Sequence, residues 1–467
     1  MAKLGTVALG MIAGAAALGV APAEARACGG CFVPTDNPTV VTDHRMIMTI
    51  AKDESTLYDQ IKYSGDPSSF AWVLPYSGEI KVGLSADVVF TALDSLTQTT
   101  ILPPPGCGSF NNPSAGASSG GTSGTSGQSS GGSGGVTVIK HEVVGPYDTV
   151  QLAATNPKAL EDWLKANLFV IPGDVQPVVD QYVNEHFNFL ALRLVPNKGI
   201  QDMRPVRVTT KGANIALPLR MVAAGTGSTV GISLWVIGEG RYEPQNYGSF
   251  IIDDNDLGWD VPNQTSNYKA VRAALTAKGN NSVWEIESST FLNTNQLYST
   301  VVYSSGNTSS SGASGQNGAD DDYLPEKDGA GNVTKTATQV REEDLDLLMP
   351  ADAATRVTRM RADLAHTALS RDLLLTASQD QSLLSNTHQL FRCGLPGDPS
   401  STIIRPGDNA VPATSSGSVT PSAQPAGGTG DGTFTCNTGR GNDRAFGTIG
   451  FSILGLALAR AIRRRRK

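Results

Sequence analysis

The stretch Phe70–Pro75, with the sequence FAWVLP, is a continuous apolar run that ends at a proline. Proline has no backbone N–H to donate to a neighbouring strand, so the run is predicted to be a buried strand that stops there. Upstream, Leu57–Tyr63 alternates between apolar and polar residues, which indicates a half-buried strand. Downstream, Asp87–Leu96 has apolar residues at helical spacing and predicts a helix.

The other periodic segments extend this mixture of strands and helices. Strand patterns lie at 136–144, 187–195, 206–210, 215–223, 232–237 and 283–286. Helical patterns lie at 157–168, 174–186 and 267–278, and in parts of 341–348 and 351–375. Asn156 is the expected N-cap of the first of these helices, because Pro157 suits the first helical position. The predicted fold class is α+β, a strand-dominated ectodomain with several short helices.

Three low-complexity stretches divide the chain. Residues 109–135 are rich in Gly and Ser, and residues 304–318 are rich in Ser, Gly and Asn. Segments of this composition have too few hydrophobic residues to bury a core, so both are expected to be surface insertions in one ectodomain, residues 28–398. Residues 399–445, rich in Pro, Thr, Ser and Gly, are expected to form a stalk.

Residues 1–27 have the pattern of a secretory signal peptide. Lys3 precedes an apolar run, and Ala25–Ala27 offers small side chains just before Cys28, where signal peptidase would cleave. The sequence therefore predicts export, with Ala27 and Cys28 at the processing site. A permanent N-terminal membrane helix and a lipoprotein modified at Cys28 are the alternatives.

Residues 446–462 are apolar and are followed by the five cations of residues 463–467. Such a helix spans about 26 Å, close to the thickness of a bilayer core. Basic flanks stay in the cytoplasm, so the tail is predicted to be cytoplasmic before any processing. The ectodomain would then be membrane-anchored on the periplasmic or cell-surface side, by a single transmembrane helix.

The polar linker, Cys436, the apolar helix and the Arg cluster together resemble the myxo-type tripartite sorting signals of bacterial surface proteins. In those signals a Cys-containing motif precedes the helix. The resemblance implies that a C-terminal sorting peptidase acts at Cys436, with transfer to lipid. A simple retained anchor is the alternative interpretation.

The charge balance excludes one class of partner. The net charge is −7, and residues 28–445 alone carry −14 once the basic ends are set apart. An acidic body without a basic stripe argues against nucleic acid as a partner. Five Cys in 467 residues are also too few for a small disulfide scaffold.

Several segments, taken in order, carry a family resemblance. They are Ala27–Phe32, Ser69–Pro75, Asp162–Asn167, Ile171–Pro172, Tyr182–Val183, Phe189–Ala191, Pro205–Val208, Ala216–Arg220, Val357–Arg361 and Arg371–Leu373. Together they span roughly residues 28–378 and resemble an uncharacterised family of bacterial secreted proteins, the domain of unknown function numbered twenty-three thirty. The resemblance implies a location and a domain identity. It implies no activity, so no functional residue follows from it.

Cys28 and Cys31 have the C-x-x-C spacing. They lie at the expected mature N-terminus without a βαβ pattern, so structural disulfides are favoured over a redox or a metal site. The partners are each other, or Cys107 and Cys393. Four cysteines allow three pairings, and their spacing does not choose among them.

Asp253, Asp254 and Asp256 form an acidic loop cluster. Carboxylate oxygens are the ligands that calcium prefers, so a calcium site is one interpretation of the cluster. A solvated turn is the other, because the glycine and the terminal glutamate of an EF-hand loop are missing. No other cofactor is predicted.

The five histidines show no compact ligand spacing, and the sequence has no G-x-S-x-G segment. We therefore expect a binding or structural component of the cell envelope, of unknown ligand, rather than an enzyme. The alternative is an extracytoplasmic hydrolase with a site assembled from dispersed residues such as His141, His186 and the Asp253 cluster. A histidine within hydrogen-bond reach of a carboxylate in a cleft would favour that alternative.

Overall fold

A computed structural model describes the folded part of the chain. The described residues are 31–32, 43–60, 71–105, 136–167, 176–223, 228–303, 322–327, 331–349, 355–399 and 401–403. The predicted signal peptide, both low-complexity insertions, the helix 446–462 and the basic tail lie outside these residues, as does the stalk beyond residue 403.

The strands and helices of the described residues follow in chain order. The strands are β1 (Cys31–Phe32), β2 (Asp43–Ile50), β3 (Glu54–Gln60), β4 (Ala71–Tyr76), β5 (Ile80–Leu84), β6 (Thr100–Leu102), β7 (Val136–Val144), β8 (Tyr147–Ala154), β9 (Asn188–Leu194), β10 (Val206–Lys211), β11 (Ala216–Leu217), β12 (Thr229–Glu239), β13 (Tyr242–Pro244), β14 (Gly248–Phe250), β15 (Trp259–Asp260), β16 (Thr265–Ser266), β17 (Val283–Phe291), β18 (Glu326–Lys327), β19 (Val333–Lys335), β20 (Thr355–Ala365), β21 (Leu373–Ala377), β22 (Thr387–Gln389), β23 (Arg392–Cys393) and β24 (Thr402–Ile403). The α-helices are α1 (Asp87–Thr97), α2 (Pro157–Ala166), α3 (Gln176–Asn184), α4 (Leu219–Val222), α5 (Tyr268–Lys278), α6 (Thr294–Tyr303) and α7 (Ala337–Leu348).

The larger sheet has eight strands in the order β14-β17-β20-β12-β2-β3-β10-β5. Most neighbours are antiparallel, but β12 runs parallel to β2 and β14 runs parallel to β17. The long strands β12 and β20 pair over their whole length, from Thr229 opposite Ala365 to Glu239 opposite Thr355. The sheet is therefore mixed, and its centre is formed by strands that are far apart in the sequence.

Both faces of the eight-stranded sheet are covered. On one face α1, α6 and α7 pack over Ile47, Tyr58 and Trp235, all of which are fully buried. On the other face, α4 and the small sheet β11-β21-β13 pack over the strands that carry Met46, Leu234 and Met360. Because both faces are buried, every residue of the central strands must be accommodated inside the protein.

The smaller sheet has five strands in the order β1-β4-β9-β8-β7. Its central strand β9 carries the apolar run Phe189–Leu192, in which each residue is 0% exposed. One face of this sheet packs on α2 and α3. On the other face Trp72 and Leu190 pack against β10 and β5 of the eight-stranded sheet. This contact joins the two sheets into one core.

The structure is rich in strands and has seven short α-helices among the described residues, which confirms the α+β prediction at this level. The buried strand at FAWVLP is β4, from Ala71 to Tyr76, and all six of its residues are buried. None of the described helices is both long enough and apolar enough to cross a bilayer. The predicted membrane helix lies outside the described residues.

Two segment predictions are wrong. Residues 351–375 were expected to be partly helical, but β20 and β21 occupy most of this range, with only the 3-10 turn His366–Ser370 between them. Residues 215–223 were expected to form a strand, but the short helix α4 follows the two-residue strand β11 there. Residues 215–223 are apolar except for Arg220, and such a run does not distinguish a strand from a buried helix. Residues 359–364 alternate regularly between charged and apolar side chains, which is a strand pattern.

Candidate functional site

The acidic loop predicted as a calcium site is a capped turn. Asp253 accepts a hydrogen bond from the backbone N–H of Asn255 at 2.8 Å and so caps the 3-10 turn Asp254–Asp256. The carboxylates of the loop are exposed. No group of three His, Cys, Asp or Glu side chains that could hold a metal ion occurs among the described residues. The calcium site at Asp253, Asp254 and Asp256 therefore stays a prediction.

One carboxylate of this loop pairs with a histidine. Oδ1 of Asp254 lies 2.5 Å from Nδ1 of His388, which is on β22 and only 8% exposed. The imidazole ring is also tilted against the Tyr268 ring, with centroids 6.2 Å apart. The two residues are 134 positions apart, so nothing in the local sequence links them.

A charged network continues behind this pair. The Tyr268 hydroxyl donates to Oε1 of Glu285 at 2.6 Å, and Nε of Arg272 donates to Oε2 at 2.7 Å. Arg272 also bonds Asp363 at 2.5 Å. Burial raises the pKa of the Glu285 carboxyl, because the charged form loses its water. We name Asp254, His388, Tyr268, Glu285 and Arg272 the edge cluster, since it lies beside the β14–β17 edge of the large sheet.

The edge cluster has one element of acid–base chemistry. An aspartate bound to Nδ1 orients an imidazole and makes the other ring nitrogen the basic one. A general base also needs a substrate proton within hydrogen-bond reach. The nearby Tyr268 hydroxyl is held by Glu285, which leaves it a structural rather than a reactive role.

The structure does not assemble the other proposed hydrolase residues. His141, on β7, pairs with Asp148 of β8 at 2.5 Å and is largely exposed. His186 follows α3 and adopts a positive φ of 64° at the end of that helix. Both belong to the five-stranded sheet and its helices, whereas Asp253 follows β14 of the large sheet. Of the carboxylates in the Asp253 loop, Asp254 pairs with a histidine. That histidine is His388, which no sequence pattern singled out.

The cysteine predictions fall mostly on residues that are not described. Cys31 begins β1 and lies opposite Trp72 of β4. Cys393 lies on β23 and pairs with Thr402. Ala27, Cys28, Cys107 and Cys436 lie outside the described residues. The disulfide pairing and both processing sites therefore stay predictions.

Buried ion pairs are the main feature that the sequence did not reveal. Arg207 of β10 bonds Asp344 of α7 at 2.9 Å, and both side chains are almost fully buried. The hydroxyls of Ser85 and Tyr323 donate to the same carboxylate at 2.6 and 2.9 Å. Opposite Arg207 stands Gly83, where an added Cβ would lie 2.5 Å from the Arg207 Nε. The small residue makes room for the ion pair.

A second ion pair lies under α1. Arg359 of β20 bonds Glu287 of β17 and also Asp94 of α1, the latter at 2.6 Å. The guanidinium groups of Arg359 and Arg45 lie 5.2 and 5.3 Å from the Trp235 ring, a cation–π arrangement. Three strands, β2, β17 and β20, thus contribute charged side chains around Trp235 of β12.

A third ion pair joins the two sheet systems. Arg220 of α4 bonds both oxygens of Glu185 at 2.7 Å and also Asp372 at 2.8 Å. Its guanidinium stacks on Tyr182, 4.1 Å from the ring centre. Forked contacts of this kind suit arginine and not lysine. Arg207, Arg220, Arg359 and Asp372 all lie in segments that carry the family resemblance, and this was the one signal that could have found them.

Asp59 of β3 is a buried carboxyl at the contact between the two sheets. It is 5% exposed, and its Oδ1 has no hydrogen bond within the part of the chain that the structure describes. It lines a small cavity with Met46, Trp72 and Met221, where the two sheets and α4 meet. Burial raises the pKa of Asp59 to about 7.

The comparison with protein families gives one match. The family described as "Uncharacterized protein conserved in bacteria (DUF2330)" matches residues 22–324. This is more than half of the chain, so the protein belongs to that family. The later segments of the resemblance, 357–361 and 371–373, lie beyond the match. Comparison with curated proteins and with solved structures finds no match.

Proposed function

We propose that this DUF2330 protein is an exported protein, anchored in the cell envelope, whose ectodomain acts by binding or as a structural component. The observation that carries the proposal is the agreement of two separate sequence features. The signal pattern of residues 1–27 directs the body outward, and the basic residues 463–467 keep the other end in the cytoplasm. Both features predict the same topology, with the ectodomain outside the cytoplasm and the basic tail inside it.

The proposal includes processing at both ends. Signal peptidase would cleave after Ala27, and a C-terminal sorting peptidase would act at Cys436, ahead of the apolar helix 446–462. The ectodomain would then be displayed on the stalk of residues 399–445. In an oxidising compartment the cysteines of the folded part would form structural disulfides.

The buried ion pairs support a scaffold role. They connect segments that are far apart along the chain, such as Arg207 with Asp344 and Arg359 with Glu287. Charged side chains that bond each other inside the protein stabilise one conformation of the ectodomain. A fixed and acidic surface is suited to display outside the cell.

Cell fractionation tests the proposal. The full chain is compared with a chain that stops after residue 445 and with a chain in which residues 463–467 are serine. The full chain is expected in the membrane fraction, and the truncated chain in the periplasm or medium. Mass spectrometry of the mature termini is expected to find Cys28 first and, after sorting, a terminus at Cys436. A full chain that keeps residues 1–27 and stays in the cytosol would contradict the proposal.

The edge cluster favours a hydrolase as the second candidate function. His388 and Asp254 are within hydrogen-bond distance, which orients the imidazole as a general base needs, and a substrate proton within reach would complete the arrangement. The test is hydrolysis of p-nitrophenyl acetate by the full chain, by His388→Ala and by His141→Ala. An enzyme would lose its activity with His388→Ala and keep it with His141→Ala, whose pair with Asp148 serves as the matched control. Equal rates in all three proteins would rule out this candidate.

A further inference from the structure

Strand β7 is the last strand of the five-stranded sheet. It pairs with β8 along one edge, and no strand among the described residues pairs with its other edge. It has nine residues, which is long for an edge strand, and most of its side chains are exposed. An open edge presents unpaired backbone N–H and C=O groups, so β7 is a template for another strand.

The exposed side chains of β7 are both apolar and charged. Val138, Ile139 and Val143 are 46%, 50% and 65% exposed. Residues of this type stabilise strands by packing against side chains of a neighbouring strand. Between them lie Lys140 and Glu142, which form an ion pair within the strand at 2.7 Å. The strand therefore carries unused apolar surface around a pair of opposite charges.

The sequence of β7 is complementary to itself about His141. When two copies lie antiparallel with His141 opposite its own copy, Lys140 of each copy lies opposite Glu142 of the other. Opposite charges at directly opposed positions stabilise a sheet. A shift by two residues keeps the faces aligned but places Lys140 opposite Lys140, or Glu142 opposite Glu142. The charges thus select one register.

We infer that β7 joins the β7 strand of a second copy of this chain, in an antiparallel pair with a two-fold axis at His141. A two-fold interface requires one patch that complements itself, and β7 meets that requirement. The bulge between Val138 and Lys140 limits the regular part of this end of the strand to Lys140–Val144, so the pair is short and centred on the charged residues. One strand pair is smaller than a standard interface, so the dimer is weak and reversible. This inference does not depend on export or anchoring.

Cysteine cross-linking tests the register. In the paired register the two copies of residue 141 are directly opposite, with Cβ atoms about 5 Å apart. The two copies of residue 137 are about 26 Å apart, since four residues on each side separate them from the axis. Under mild oxidation the full chain with His141→Cys is expected to give a covalent dimer above the wild-type background, and Thr137→Cys is not. Asp148 keeps its pair with Arg193 when His141 is replaced.

Charge reversal tests the partner. Lys140→Glu and Glu142→Lys each place like charges at two positions of the dimer, so each variant alone is expected to self-associate about tenfold more weakly than the wild type. A mixture of the two variants restores both opposite-charge contacts between the chains without restoring the ion pair within either chain. Sedimentation velocity of the full chain in mild detergent is expected to show association in the mixture at the wild-type level.

Three results would overturn the inference. The first is a wild-type chain that stays monomeric at all concentrations reached. The second is cross-linking that is as strong at residue 137 as at residue 141. The third is a mixture of the two charge variants that associates no better than either variant alone.

Discussion

The two sheets of this protein place charge in opposite ways. The five-stranded sheet keeps its centre apolar, since Phe189–Leu192 of β9 are fully buried, and it carries its charges at the exposed β7 edge and in the pair of Arg193 with Asp148 at one end of β9 and β8. The eight-stranded sheet has buried charged side chains on its inner strands, such as Arg207, Arg359 and Glu287, each 6% exposed or less. The two sheets differ in this way because their faces are covered to different extents. The large sheet is covered on both faces along its centre, so charges that alternate along its strands are enclosed and must be paired.

The first way to break this comparison is to remove one partner of a buried ion pair. Asp344→Ala removes the buried partner of Arg207, which keeps only its contact with the more exposed Glu343, and also removes the acceptor for Ser85 and Tyr323. Breaking a buried ion pair costs about 3 to 5 kcal/mol of unfolding free energy, and the remaining Glu343 contact places the expected loss at the lower end. Urea denaturation is expected to show a loss of this size.

The matched control for Asp344→Ala is an exposed ion pair of the same sheet. Lys211 and Glu79 are 2.5 Å apart, and their side chains are 80% and 75% exposed. Lys211→Ala is expected to leave the unfolding free energy almost unchanged, because water screens this pair. Equal losses for the two variants would show that burial is not what gives the Arg207 pair its importance.

The second prediction concerns the buried Asp59 carboxyl of the large sheet. The pKa of Asp59 is about 7 in the folded protein against 3.8 ordinarily, so the folded state holds the proton more tightly than the unfolded chain. The stability from this proton is complete below pH 4 and is lost as the pH rises to 7. Asp59→Asn is therefore expected to match the wild type at pH 4 and to be more stable at pH 8 by roughly 2 to 4 kcal/mol.

Urea denaturation at pH 4, 6 and 8 measures this difference. Each variant is compared with the wild type at the same pH, so that titration of all other groups cancels. A difference that is the same at all three pH values would mean that Asp59 ionises as freely in the folded protein as in water. The prediction would then be wrong, and the cavity between the sheets would be wetter than its apolar lining indicates.

The smallest expected effect is on the helix side of the five-stranded sheet. Asn156 caps α2, and its Oδ1 accepts a hydrogen bond from the N–H of Ala159 at 2.8 Å. Asn156→Ala is expected to cost about 1 kcal/mol, and Asn156→Asp very little, because aspartate keeps the acceptor. Thermal or urea unfolding checks both variants. A loss of equal size in both would assign the effect to packing rather than to the cap.

The parts of the fold that the sequence predicted well are those with a strong local signal. The apolar run at Ala71–Tyr76 is β4, and the capped segment after Asn156 is α2. The segment Thr355–Ala365 was predicted wrongly, although residues 359–364 alternate between charged and apolar side chains, which is the pattern of a half-buried strand. Its conformation is decided by pairing with β12 and β17 on either side.

The candidate site was predicted less well than the fold. The sequence offered Asp254 as part of an acidic loop but gave no reason to connect it with His388. Likewise, Arg207 between two valines has the pattern of a solvent-facing residue on a half-buried strand. Helix α7 covers that face and supplies Asp344, and no local pattern records which helix will do so.

By itself the sequence determined the segments with local chemistry: the apolar runs, the helix cap, the low-complexity stretches and the self-complementary charges of β7. The tertiary structure alone decided which charges meet, because ion pairs such as Arg220 with Asp372 join residues brought together only when the sheets pack. The periodicity of apolar residues along a chain indicates which side chains face the core. It does not indicate which residues from distant segments will lie opposite those side chains.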